Sequence, residues 1–209
     1  MTQPDGHRGD RHPADQRRSG RSRNRRDDVL RAAFDLFAER GYRGTSLSAV
    51  AARAGLTQQG VLHYFSNKET LLLAVLQLFD ERDAGRLFSA PPGDGAALDH
   101  LAALMAYGAT RPDVVRSLAI LAAESLTDDH PARAFFVARY AELRRGAAAA
   151  VRAELGGALP DGLSPEEVSA LLVAAMDGLQ LQWLLEPDSV DAPALFAALR
   201  KLLRNPSSQ

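Results

Sequence analysis

From Val29 to Leu203, apolar side chains return every three or four residues, and the rhythm breaks only at Gly, Pro or short polar residues. A 3.6-residue period gathers apolar groups on one face of a helix, whereas a half-buried strand needs alternation. No segment alternates long enough to read as a strand, so the chain is confined to all-α architectures. Hydrophobic residues make up 46% of the 209, enough for a sizeable core in one large domain or two small ones.

The punctuation divides the chain. Val29, Leu30, Ala33, Phe34, Leu36 and Phe37 share a helical face, and Gly41 suits the left-handed cap that ends it. Thr45 or Ser46 then caps a short helix carrying Leu47, Val50, Ala51 and Ala54, which Gly55 stops. Thr57 caps the next, through Val61, Leu62 and Phe65. Ser66 to Glu69 has the form of a capping box and opens a long helix through Leu71, Leu72, Val75, Leu76 and Phe79. After the break at 91–95, apolar helices are expected near 96–109, 113–126 and 131–155, then a loop from Gly156 to Gly162. Ser164-Pro165-Glu166-Glu167 is a second capping box, with Pro in the first turn, and its helix runs to Leu185. A last helix carries Leu195, Phe196, Leu199, Leu202 and Leu203. Residues 1–23 show no apolar period and are expected to form a disordered, Arg-rich tail.

The formal net charge of −1 hides an uneven distribution. Residues 1–68 carry 13 basic and 7 acidic side chains, and residues 69–209 carry 12 and 19. Such a division suggests a polyanion-facing part joined to a part with another task. Residues 1–26 alone hold 8 Arg against 3 Asp, which leaves the expected folded part of the basic half nearly neutral. The tail reads either as a solvated leader or as an arm for phosphates or a minor groove.

Several chemistries find no support. With no Cys there is no disulfide framework, thiolate metal site or Cys nucleophile. The histidines at 7, 12, 63, 100 and 130 make no metal-binding spacing, so neither a metal nor a cofactor is expected. No phosphate loop, dinucleotide loop or nucleophile elbow is present, and no catalytic residue is assigned. The polar start is not a secretory signal, and no apolar run approaches bilayer length, so a cytoplasmic protein without a membrane partner is expected.

Residues 46–65 place two short helices around Gly55-Leu56-Thr57, the spacing of a helix-turn-helix. Gln58 and Gln59 open the second helix, and an amide can pair bidentately with adenine. Thr45, Ser46, Tyr64 and Lys68 are types that hold phosphate oxygens, and the helix start at Thr57 adds amide donors. The run from Ala32 to Tyr42, the run Thr45-Ser46-Leu47-Ser48-Ala49-Val50-Ala51-Ala52-Arg53-Ala54-Gly55-Leu56-Thr57, and the run His63 to Leu72 together resemble the DNA-binding domain of the TetR family of transcriptional regulators. The resemblance implies phosphate contacts at Thr45 and Lys68, exposed recognition positions at Gln58, Gln59 and His63, and a backbone contact at Tyr64. The chain departs from the family pattern at Leu62, where Tyr is usual, and at Gln59, where Gly or Pro is usual.

The same resemblance implies that residues 71–209 bind a small molecule and form a homodimer, with 24–70 reading double-stranded operator DNA. Pocket candidates are Met105, Tyr107, Glu124, Phe136, Tyr140, Met176, Gln180 and Trp183. Glu124 stands out as a carboxylate in an apolar run, where a cationic ligand or an Arg would have to satisfy it. Leu171, Leu172, Ala175, Gly178, Leu179 and Gln182 cover one face of their helix and, with Phe196, Leu199 and Leu203, are the expected dimer seam. The sequence therefore reads as an all-α regulator: an N-terminal three-helix DNA-binding domain and a C-terminal bundle that dimerises. Its expected role is that of a repressor released by a small molecule. The alternatives are a helical interaction module and a helical-bundle enzyme, each without DNA binding. The basic N-terminal half and the Gln58-Gln59 face count against the module.

Overall fold

Short side chains that cap and glycines that reverse the chain set the helix boundaries. The structure, a computed structural model, describes residues 13–87, 97–156, 159 and 162–204, with the backbone alone for 13–23, 80–87 and 97. The helices in order are α1 (Pro13–Arg40), α2 (Leu47–Arg53), α3 (Gln58–Tyr64), α4 (Lys68–Leu87) and α5 (Ala97–Ala109). They continue as α6 (Pro112–Glu124), α7 (Arg133–Leu155), α8 (Pro165–Leu185) and α9 (Ala192–Arg204). No strand occurs among the described residues.

α1 begins well before the expected boundary at residue 24, so residues 13–23 extend the helix where a disordered tail was expected. Ala, Gln and Arg in that stretch are good helix formers, and no Pro follows Pro13 before Arg40. The first 12 residues of the expected tail, the break at 91–95 and parts of the 156–162 loop lie outside the described residues.

α1 ends on Gly41 at φ 69°, whose N–H returns to Phe37 O at 2.9 Å. Ser46, rather than Thr45, caps α2 by accepting from Ala49 N at 3.1 Å. Thr57 caps α3 by accepting from Gly60 N at 3.1 Å. The cap of α4 falls one residue later than the Ser66 box predicts. Asn67 Oδ1 accepts from Thr70 N at 2.8 Å, and Thr70 Oγ1 accepts from Asn67 N at 3.2 Å. Asn is as good a cap as Ser, and Thr70 completes the reciprocal pair. The capping box at Ser164 and Glu167 forms as expected.

Two apolar clusters hold the helices together. The first gathers Val29, Leu30, Phe37, Val50, Val61, Phe65, Leu71 and Phe79 from α1–α4, but also Val114 and Leu121 of α6 and Phe136 of α7. The helix-turn-helix thus shares its core with α6. The second joins α5, α7, α8 and α9 through Leu98, Met105, Val151, Leu172, Met176 and Phe196.

Leu172 and Phe196, expected at the dimer seam, are instead 1% and 0% exposed inside that second cluster. They cannot meet a partner, because the helical period turns them inward. Leu179, Leu199 and Leu203 also pack against this core, and Ala175 is half-buried. The outward stripe of α8 is Leu171, Ala174, Gly178, Leu181, Gln182 and Leu185, and that of α9 is Leu195, Ala198 and Leu202. Among the described residues, α8 is the helix long and apolar enough to cross a bilayer by length and composition. Its uninterrupted apolar run is only 170–176, bounded by Ser169 and Asp177, so the expectation that no apolar run approaches bilayer length stands.

Candidate functional site

α3 is short, and its geometry follows from one buried face. Val61 and the cap residue Phe65 sink into the first cluster, and Tyr64 packs half-buried beside them. The opposite face therefore carries Gln58, Gln59 and His63, all exposed. His63 stands edge-on to the Tyr64 ring with centroids 5.2 Å apart. Leu62 is half-buried. This is a helix with an anchored apolar side and a polar side of amides and an imidazole, the layout that base-edge readout requires. Thr57, using its oxygen as the cap acceptor, keeps its hydroxyl proton for another partner.

The residues around α3 are held more tightly than a surface role would need. Thr45 is 2% exposed, and its Oγ1 lies 2.8 Å from Gly41 O and 3.1 Å from Leu36 O. A hydroxyl so placed pins the turn after α1 and has no free side toward a phosphate. Ser46 is exposed and caps α2 while pairing with Ser48 at 2.9 Å. Lys68 Nζ donates to Tyr42 O and Thr45 O, each at 2.9 Å, and stands 4.1 Å from the centroid of the Tyr42 ring. Burial pulls its pKa below the ordinary lysine value. An ammonium has three protons, so one remains for an outside acceptor. Arg53 pairs bidentately with Glu39 at 3.0 and 2.9 Å, tying α2 to α1.

Glu124, expected in a ligand pocket, lies elsewhere. It is the last residue of α6, and its carboxylate reaches the loop after α1, accepting from Tyr42 N at 2.6 Å and Arg43 N at 3.4 Å. The apolar run that made Glu124 conspicuous belongs to the other turns of α6. Arg43 Nη2 adds bonds of 3.3 Å to Thr127 Oγ1 and Asp129 Oδ1. His130 is buried, edge-on to the Tyr42 ring with centroids 5.0 Å apart, and accepts from Ala132 N at Nδ1. Burial lowers its pKa, and its Nε2 has no hydrogen-bond partner. The loop that positions α2 and α3 is thus gripped by Lys68 of α4 and by Glu124 of α6.

α6 is also a wall of a cavity of about 400 Å³ between α5, α6, α7 and α8. Tyr107, Phe136, Tyr140, Met176 and Gln180 line it as expected pocket residues should. Met105 sits behind the wall with its sulfur 3.6 Å from Gln180 Nε2, and Trp183 packs half-buried against the second core. Sequence reasoning missed Arg111, Arg139 and Asp177, together with the apolar wall Val114, Leu118, Ala119 and Ala122. Tyr140 and Asp177 share a hydrogen bond, and desolvation by the surrounding cavity walls raises the pKa of both. Arg111 bonds Tyr107 Oη and faces the Tyr107 and Phe79 rings at 5.1 and 5.8 Å. The signal that drew attention to Glu124, an acid within an apolar helix, applies equally to Asp177 in α8. Among the described residues no group of three or more His, Asp or Glu could hold a metal ion.

Comparison with known proteins agrees with this layout. A profile of bacterial regulatory proteins of the tetR family matches residues 29–75, and one of the BetI-type transcriptional repressor C-terminal region matches residues 87–205. The HTH-type transcriptional regulator RutR of Escherichia coli (strain K12) is 43% identical over 49 residues, 23% of each chain. The HTH-type transcriptional repressor KstR2 of Rhodococcus jostii (strain RHA1) is 40% identical over 67 residues, 32% of each. The matched segment spans a third or less of these curated relatives. Among solved structures, NalD of Pseudomonas aeruginosa, the secondary repressor of the MexAB-OprM multidrug efflux pump, superposes with a TM-score of 0.69 at 25% identity, covering 87% of this chain and 96% of that one.

Proposed function

The chain belongs to the TetR family of bacterial transcriptional regulators, and from that premise we propose that it is a dimeric operator-binding repressor released by a small molecule held in the α5–α8 cavity. The observation that carries the reading is the shared helix. α6 forms a wall of the cavity, and at its end Glu124 grips the loop that positions α2 and α3.

In this reading Gln58 and Gln59 contact base edges, with His63 beside them. Ser46, Thr57, Tyr64 and the third proton of Lys68 face phosphates. Thr45 serves by shape alone, keeping the α1–α2 turn closed. Two copies join through the outward apolar stripes of α8 and α9, which bring four helices together across a two-fold axis and cover surface that one protomer leaves open. That assignment also accounts for the apolar character of α8 in a cytoplasmic protein. The dimer then presents two α3 helices at about 34–36 Å, one turn of DNA.

A ligand shifts the balance only if it binds one dimer state better than the other. The cavity walls suit an apolar body, and Tyr140, Asp177 and Gln180 suit one polar end. A molecule that moves α6 moves Glu124, and the α1–α2 loop goes with it. Selection of bound sequences from random duplex DNA tests the reading. Enrichment of a two-fold symmetric site is expected, and recovery of unenriched DNA would refute it.

A further inference from the structure

DNA binding requires cations that can face phosphates, yet the folded reading domain keeps most of its cations for itself. Arg31 pairs with Asp28, Arg53 with Glu39, Arg43 with Asp129, and Lys68 with two carbonyls. Arg40 lies 3.9 Å from Glu39. Among the described side chains from 24 to 72, that leaves Arg25 and Arg26, both exposed, as the cations with neither an ion pair nor a carbonyl partner. Arg26 lies over the Phe65 ring at 5.1 Å, at the end of α3. The part of α1 that precedes it therefore leaves the domain beside the recognition helix.

That part is rich in arginine: Arg17, Arg18, Arg21, Arg23 and Arg25. In a helix of 3.6 residues per turn, Arg17, Arg18, Arg21 and Arg25 fall within an arc of about 100°. From Arg17 to Arg26 the helix advances about 14 Å at 1.5 Å per residue. Phosphates of one strand recur every 3.4 Å or so along the axis, and thus about four lie within that length.

We propose that the first turns of α1 are the electrostatic clamp of this protein, with Arg17, Arg18, Arg21 and Arg25 neutralising phosphates that flank the bases read by α3. The inference rests on the DNA-binding reading above. Affinity and sequence choice are then divided between two segments: α3 selects, and the start of α1 holds. Each neutralised phosphate steepens the fall of log K with log salt by about 0.9.

The test compares the full chain with its R17Q/R18Q/R21Q/R25Q variant on mixed-sequence duplex DNA across a salt series. Glutamine keeps helix propensity and removes charge. The variant's slope should flatten by about 3–4 per protomer, with its thermal midpoint and its ranking of selected sequences unchanged. The R17K/R18K/R21K/R25K chain should restore the slope. A slope altered by less than about one, in a full chain that does bind, overturns the clamp and leaves the DNA-binding reading intact. A full chain without affinity for duplex DNA at low salt overturns both.

Discussion

Replacing Glu124 by alanine removes the grip of α6 on the reading domain. Its bond from Tyr42 N, at 2.6 Å, is short and charge-assisted, and a hydrogen bond to a charged group nets about 1.5–3 kcal/mol. The bond from Arg43 N, at 3.4 Å, is near the limit and adds little. Alanine also leaves the part-buried Tyr42 N–H unpaired, so a cost of about 2–3 kcal/mol is expected. For a chain of this length that is roughly 4–12 °C in thermal midpoint. Glutamine keeps an acceptor without the charge and should cost about 1 kcal/mol. Gly41 supplies an internal check. Its φ of 69° and the adjacent Glu124 carboxylate both oppose a Cβ. Gly41→Ala should therefore cost more in the wild-type chain than in the Glu124→Ala chain, where only the backbone penalty of about 1–2 kcal/mol remains. Urea unfolding of the four chains gives the cycle. Additive costs, or a Glu124→Ala chain within 0.5 kcal/mol of wild type, would refute the grip.

Three further outcomes are expected. His130 is buried and titrates below 6.5, so an unfolded chain takes up a proton before the folded one does. Stability should fall as pH drops below about 6.5 and level off once the folded value is passed; His130→Asn, which keeps an acceptor for Ala132 N, should flatten that dependence in pH-dependent unfolding. Phe196→Ala should cost about 3–5 kcal/mol of folding stability by opening a core cavity, whereas Leu202→Asp should leave the fold intact and yield monomers by sedimentation; the opposite assignment would return Phe196 to the seam. Gln58→Ala or Gln59→Ala should relax sequence preference by about 1–3 kcal/mol at a contacted base pair, read by competition between selected and altered duplexes.

What the sequence made legible was local. Caps at Thr57 and Ser164, the reversal at Gly41 and the exposed amides of α3 depend on neighbours within one turn, and spacing alone identifies them. Ser66 failed as a cap only because Asn67 competes one residue later. The contacts that went unread join distant segments. Glu124 and Tyr42 lie 82 positions apart, and Lys68 and Tyr42 lie 26 apart. The polarity of Glu124 was plain, but the target of its carboxylate depends on how α6 crosses α1. Leu172 and Phe196 were misassigned to the seam for a related reason. An apolar helix such as α8 offers two usable faces, and periodicity does not say which one the same chain covers. Leu172 and Leu171 differ by 100° of rotation, enough to place one in the core and the other 62% exposed.

The claim that cavity and DNA-reading face form one machine meets its most direct test in a filled cavity. Ala119 lines the α6 wall, and Ala119→Trp would occupy space a ligand needs. A compound that frees the wild-type chain from its selected duplex should fail to free the Ala119→Trp chain, although both bind that duplex with similar affinity. Equal release of the two chains by the same compound would contradict the account.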